Sequence, residues 1–180
     1  MGLGSGIACD INLNTSLTDQ ERERYQNTQV IRDILTSVKT IAVVGLSSEP
    51  QKASNMVASY LKDEGYRIIP VNPNVTEILS EKSYPELKAI PERIDLVDIF
   101  RPSGEVPEIV KQAIDIKAKA VWLQLRIINF PAADQALAAG LSVVIDRCIK
   151  MEHGRFAGGL HWAGMNTEII TARRGNNRRT

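Results

Sequence analysis

Cysteine is scarce in this 180-residue chain, with Cys9 near the start and Cys148 far along. Two thiols so placed form neither a disulfide framework nor a metal-spaced C-x-x-C pair, and they favour a reducing, cytoplasmic setting. An excess of charge of either sign is also lacking, with 22 Lys+Arg against 21 Asp+Glu. The overall field therefore gives no argument for nucleic acid, an anionic membrane or an acidic partner, and any charge argument has to be local. No run approaches the roughly 18 apolar residues needed to span a bilayer. MGLGSGIACD has no basic segment followed by an apolar one, and Gly6 stands where a myristoylation motif needs Ser or Thr. The expectation is an unprocessed protein without a membrane span. Internal repeats and linkers are absent too, and the length suits one domain with a single core.

What is present is a change of rhythm. The first 17 residues are small and polar without apolar periodicity and read as a flexible lead-in. Thr18-Asp19-Gln20-Glu21 fits a capping box, predicting a helix to about Ser37 with Val30, Ile31, Ile34, Leu35 and Val38 on one face. From Thr40 short β-branched runs alternate with helical stretches. The strand candidates are Ile41–Val44, Arg67–Val71, Leu96–Phe100, Ala120–Leu123 and Ser142–Ile145; the helices are Ser54–Glu64, Glu105–Lys117 and Pro131–Ala139. The near-continuous apolar runs IAVV, VWL and VVI suit strands covered on both faces. This predicts an α/β fold, three layers α/β/α around a five-stranded mostly parallel sheet. Gly65 and Gly140 stand where helix C-caps belong. Val75–Ile90 reads as a connecting loop with a short helix at Pro85–Lys88. After Cys148 the signals fade, so the domain is expected over 18–160. Residues 161–180, closing in RRGNNRRT, are expected to be a solvated basic tail.

The loop after the first strand carries the chemistry. Gly45-Leu46-Ser47-Ser48-Glu49-Pro50-Gln51-Lys52 leaves a strand end and opens a helix, where an open parallel sheet places its ligand. Gly45 permits close backbone approach, the Ser47 and Ser48 hydroxyls donate to phosphate oxygens, the helix start offers free N–H groups, and Lys52 adds a point charge. Neither G-x-x-x-x-G-K-[ST] nor G-x-G-x-x-G is present. The second strand ends in Val71-Asn72-Pro73-Asn74, with no acid for a ribose diol.

With this loop stand YLKDEGYRIIPVNPN, EKSYPEL, IDLVDIFRPS, VWLQL and DRCIKMEH. In order and spacing the set resembles the small CoA-binding proteins of Rossmann-like fold. It is similar to the nucleotide-binding domain of the succinyl-CoA synthetase alpha subunit and of ADP-forming acyl-CoA synthetases. The resemblance spans about 31–156. It implies coenzyme A or an acyl-CoA as ligand, with Gly45, Leu46, Ser47, Ser48 and Lys52 facing phosphates and Val71, Asn72 and Pro73 at the adenosine end. It further implies Phe100, Arg101, Pro102 and Ser103 over the nucleotide and Gln124 on the pantetheine side. Arg126 stands where the family usually has glycine. The bland reading of Arg101 is a surface arginine paired with Glu105.

A catalytic set is not found: His153 and His161 lie beyond the last clear strand without a nucleophile and base in defensible order. Their spacing does not suit a helical metal site. Cys148, at a strand end, leaves open a mixed disulfide with the CoA thiol. The reading is a CoA binder without catalysis by the isolated chain. Its alternatives are a subunit or remnant of an acyl-CoA ligase that needs a partner, and an NAD(H)-binding redox sensor or dehydrogenase. Sheet edges leave a homodimer open.

Overall fold

The computed structural model describes residues 17–156. Five parallel strands form the sheet: β1 (Thr40–Val44), β2 (Arg67–Val71), β5 (Leu96–Ile99), β6 (Ala120–Leu123) and β7 (Ser142–Val144). Their order is β2-β1-β5-β6-β7. The chain winds outward from β1 to β2, then returns to the other side of β1 for β5 and continues to β7. The carboxyl ends of β1 and β5 are therefore the point at which strand order reverses, the place where such sheets open a crevice.

Alternation sorts the strand side chains into two cores. Ile41, Val43, Leu96, Trp122 and Val144 pack with α2 (Thr28–Ser37), α3 (Ala53–Asp63) and α6 (Ile149–Phe156). Ala42, Val44, Val97, Ile99, Val121 and Leu123 face α4 (Val106–Asp115) and α5 (Phe130–Ala138). This is the three-layer Rossmann-like arrangement expected from the sequence. Gly65 and Gly140, with φ of +94° and +87°, terminate α3 and α5 as expected.

Three expectations need correction. The helix predicted from Thr18 to Ser37 is two helices, α1 (Asp19–Tyr25) and α2, because the chain crosses from one sheet face to the other around β7. Tyr25 packs with the α5 layer and its hydroxyl donates to Asp134, whereas Ile31, Ile34 and Leu35 belong to the opposite core. At the crossing, the Gln26 side chain donates to the Ile145 carbonyl at 3.0 Å, and Asn27 caps α2 by accepting from the Gln29 and Val30 amides. The Thr18 capping box itself is present, with reciprocal bonds to Glu21. Second, Val75–Ile90 contains a two-residue hairpin, β3 (Glu77–Ile78) with β4 (Glu81–Lys82), and its short helix is a 3-10 turn at Leu87–Ala89. The hairpin leads into Tyr84, which bonds to Pro70 and Asn72 and so covers the outer edge of β2. Third, the chain does not lose regularity after Cys148 but forms α6. Its inward face carries Ile149, Glu152 and His153, and two polar residues turned inward hide the amphipathic pattern. The expected tail, 161–180, and residues 1–16 of the lead-in lie outside the described residues; Leu17 is buried in the α5-side core.

Candidate functional site

Gly45 leaves β1 with φ +85°, its amide donating to the Val71 carbonyl at 3.0 Å. A β-carbon there would lie 2.7 Å from Arg101 Cδ and 3.0 Å from the Phe100 carbonyl oxygen, so the position requires glycine for both its backbone angle and its space. Leu46 then turns inward and is fully buried. Its side chain joins the α3-side core and anchors the loop. Ser47 is fastened on three sides: its amide donates to Ser54 Oγ at 3.1 Å, its carbonyl accepts from Asn55 Nδ2 at 2.8 Å, and its hydroxyl accepts from the Glu49 amide at 3.1 Å. The hydroxyl keeps its own proton to donate. Asn72, at the end of β2, binds the Leu46 carbonyl through Nδ2 at 2.8 Å and takes the Asn74 amide on Oδ1 at 2.9 Å. The loop is thus held by Ser54, Asn55 and Asn72, two of which the sequence reading did not single out.

Beside this loop a cleft of about 550 Å³ opens between the ends of β1 and β2 and the start of α4. Six of the expected residues line it: Gly45, Ser47, Val71, Asn72, Pro73 and Arg101. The far wall, built from Pro85, Glu86 and Leu87 with Glu105, Glu108 and Gln112, was not anticipated. It comes from segments distant in sequence, and the Leu87 amide ties them by donating to Gln112 Oε1 at 3.2 Å.

The other expected residues lie elsewhere. Ser48 is exposed in the turn. Lys52 occupies the N-cap position of α3 without a side-chain cap, and its ammonium lies 3.9 Å from Glu49. Phe100 is half-buried against the α3-side core, opposite the cleft. Pro102 is exposed, and Ser103 holds the loop after β6 by accepting from the Ile128 amide and from Asn129 Nδ2. Arg101 is paired with Glu105 in a two-point fork, both bonds 2.8 Å.

Gln124 is buried and donates to Asp98 Oδ1 at 2.7 Å. Asp98 has no exposure, and its other oxygen has no hydrogen-bond partner among the described residues. Burial pushes its carboxyl up to about 7, against the opposing pull of the Gln124 and Ile99 hydrogen bonds. Nearby, burial pushes the Cys148 thiol up despite amide bonds from α6, which disfavours thiolate chemistry. Arg126 adopts φ +64°, with its amide on Asp146 Oδ1 at 2.7 Å. His153 sits edge-on to the Tyr60 and Tyr66 rings with Nδ1 3.0 Å from the Tyr60 hydroxyl, a packing role within the α3 and α6 interface. Among the described residues no group of His, Cys, Asp and Glu is arranged to hold a metal.

Residues 39–154 match the CoA binding domain family. The chain belongs to that family. The Bacillus subtilis protein YneT is 40% identical over 123 residues, covering 68% of this chain and 91% of YneT. The chain also matches part of much longer relatives. The ADP-forming acetate–CoA ligase II of Archaeoglobus fulgidus is 36% identical over 95 residues, which are 51% of this chain and 14% of the ligase. Among solved structures, a hypothetical protein from Pyrococcus horikoshii superposes with a TM-score of 0.71 at 43% identity, over 73% of this chain and 92% of that one. Both the family and the fold drawn from the motifs are thereby established for this CoA binding domain.

Proposed function

We propose that this domain binds coenzyme A or an acyl-CoA along the carboxyl edge of its sheet. The phosphates would lie on the Gly45–Lys52 loop and the start of α3. The observation that carries the reading is the position of Gly45. It stands at the reversal of strand order, at the mouth of the cleft, with a backbone that no β-carbon obstructs. Amides at the opening of α3, an eleven-residue helix, add the partial positive charge that anions favour. The cleft suits the nucleotide part of the ligand, with the pantetheine arm leading away past β5 and β6, where Gln124 stands. Asn72 in place of an acid at the end of β2 leaves no carboxylate for a ribose diol there, which counts against NAD.

Calorimetric titration of CoA, acetyl-CoA, NAD and ATP into the full chain tests the reading. CoA heat that disappears in Gly45→Ala supports it, and NAD heat without a CoA signal overturns it. The isolated chain is expected to form no thioester from ATP, acetate and CoA, since it matches 14% of the ligase that it resembles. Turnover above background would assign it ligase chemistry instead.

A further inference from the structure

The cleft holds more negative than positive charge. Among the described residues that line it, Glu86, Glu105 and Glu108 are carboxylates and Arg101 is the one cation. That cation is engaged: Nε and Nη2 of Arg101 each donate to a Glu105 oxygen at 2.8 Å, a geometry that matches a guanidinium to a carboxylate or a phosphate equally well. The same side chain lies across the phosphate loop, because its Cγ and Cδ fill the space in which a β-carbon of residue 45 would stand. Glu105 occupies the N-cap position of α4 but makes no side-chain bond to the helix amides, so its oxygens serve the arginine and not the helix. Both groups are about half exposed, at 46% and 47%, which leaves them free to exchange partners without unfolding anything.

Resting on the CoA reading, we infer that Glu105 sets the affinity of the site by parking Arg101 over Gly45 and yielding it to a phosphate of the ligand. The exchange does two things together. It brings the cleft's one cation onto the anion, and it lifts the arginine stem from the glycine so that phosphate oxygens reach the loop amides. One two-point ion pair replaces another, and the released Glu105 is hydrated at the surface. Glu105 is therefore a positioning residue, acting through Arg101 and not by touching the ligand.

The test is a double-mutant titration of CoA, and in parallel inorganic pyrophosphate, into the full chain, with thermal melts to verify folding. Glu105→Gln should tighten CoA by about three-fold, and Arg101→Met should weaken it by about ten-fold, the ranges expected for a surface pair and for a charge-assisted phosphate bond. The decisive readout is the coupling between the two. If Glu105 acts by parking the arginine, Glu105→Gln tightens binding more with Arg101 present than in the Arg101→Met background. If it acts only by repelling the ligand, the gain is equal in both backgrounds and matches that of Glu108→Gln, and the inference is overturned. Unchanged or weaker CoA binding by Glu105→Gln overturns it as well, while leaving the functional reading intact. A wild-type chain that binds no CoA removes the reading and the inference together, a result distinct from either of the others.

Discussion

Asp95, just before β5, and Asp98, within its second half, stand three residues apart and are treated in opposite ways. Asp95, beside the amino ends of the strands, accepts from the Lys39 and Thr40 amides and pairs with Lys119 at 2.8 Å. Burial works to raise its carboxyl, but Lys119 and the two amides outweigh it and hold the group below the usual carboxylate range. Asp98, toward the carboxyl ends, has one partner side chain, one oxygen without any among the described residues, and a carboxyl pushed up to about 7. At one rim of the sheet every demand of a buried acid is met. At the other, one oxygen is left open, near the positive-φ turn at Gly45 and the half-exposed Arg101–Glu105 pair. The comparison teaches that the amino rim is built for stability and that the carboxyl rim tolerates unfinished chemistry, as expected of the end that receives a ligand.

The largest expected effect comes from removing the buried charge of Asp98. A carboxyl whose folded value lies above its unfolded value of 3.8 favours the fold at low pH, and that contribution is lost as pH rises toward about 7. Asp98→Asn keeps the shape and removes the charge. It should flatten the decline of thermal stability between about pH 4 and pH 7 and raise stability at pH 8 by roughly 2–4 kcal/mol. A pH profile parallel to that of wild type would show that Asp98 is ordinarily solvated and that the two rims do not differ.

Asp95→Ala is the counterpart, with the opposite sign. Its depressed carboxyl contributes stability above the unfolded value, lost as pH falls through the folded one. Substitution strands two amides and Lys119, costing about 2–3 kcal/mol at pH 7 in chemical denaturation. CoA binding should be unchanged if this rim is structural only. A loss of binding in a folded Asp95→Ala protein would break the comparison.

The rims also differ in how much of them the sequence discloses. The strands are legible because burial on both faces demands unbroken apolar runs, and IAVV and VWL supply them. Gly45 is legible because a turn at a strand end demands its angle. The α1–α2 break is not, since Asn27 becomes a cap only because the chain has to round β7. Likewise the burial of the Leu46 side chain, between half-buried Gly45 and Ser47, carries no local signal in the loop sequence. The far wall of the cleft is the least legible part. Glu86 and Glu108 carry no local signal, and only the tertiary fold sets them opposite Ser47.

Gly45 and Gly65 separate strain from space. Both have strongly positive φ, but a β-carbon at Gly65 meets nothing within 4 Å, whereas at Gly45 it meets Arg101 and Phe100. Each alanine substitution should cost about 1–2 kcal/mol for its backbone angle. Only Gly45→Ala should also abolish CoA binding, because the new methyl group stands where phosphate oxygens would reach the loop amides. Equal CoA binding by the two variants would place the phosphates away from Gly45.

The smallest effect is expected at Lys52, even though the sequence places it in the phosphate loop. Its side chain is 58% exposed, lies 3.9 Å from Glu49 and does not line the cleft. A solvated ammonium with a nearby carboxylate contributes within the range of a surface pair, so Lys52→Ala should weaken CoA by no more than about three-fold and leave the melting temperature unchanged. Arg101→Met, by removing the cleft's own cation, should do more. If Lys52→Ala instead abolishes binding while Arg101→Met does not, the phosphates sit at the outer turn of the loop. The charge that matters would then be the one at the opening of α3 and not the arm laid over Gly45.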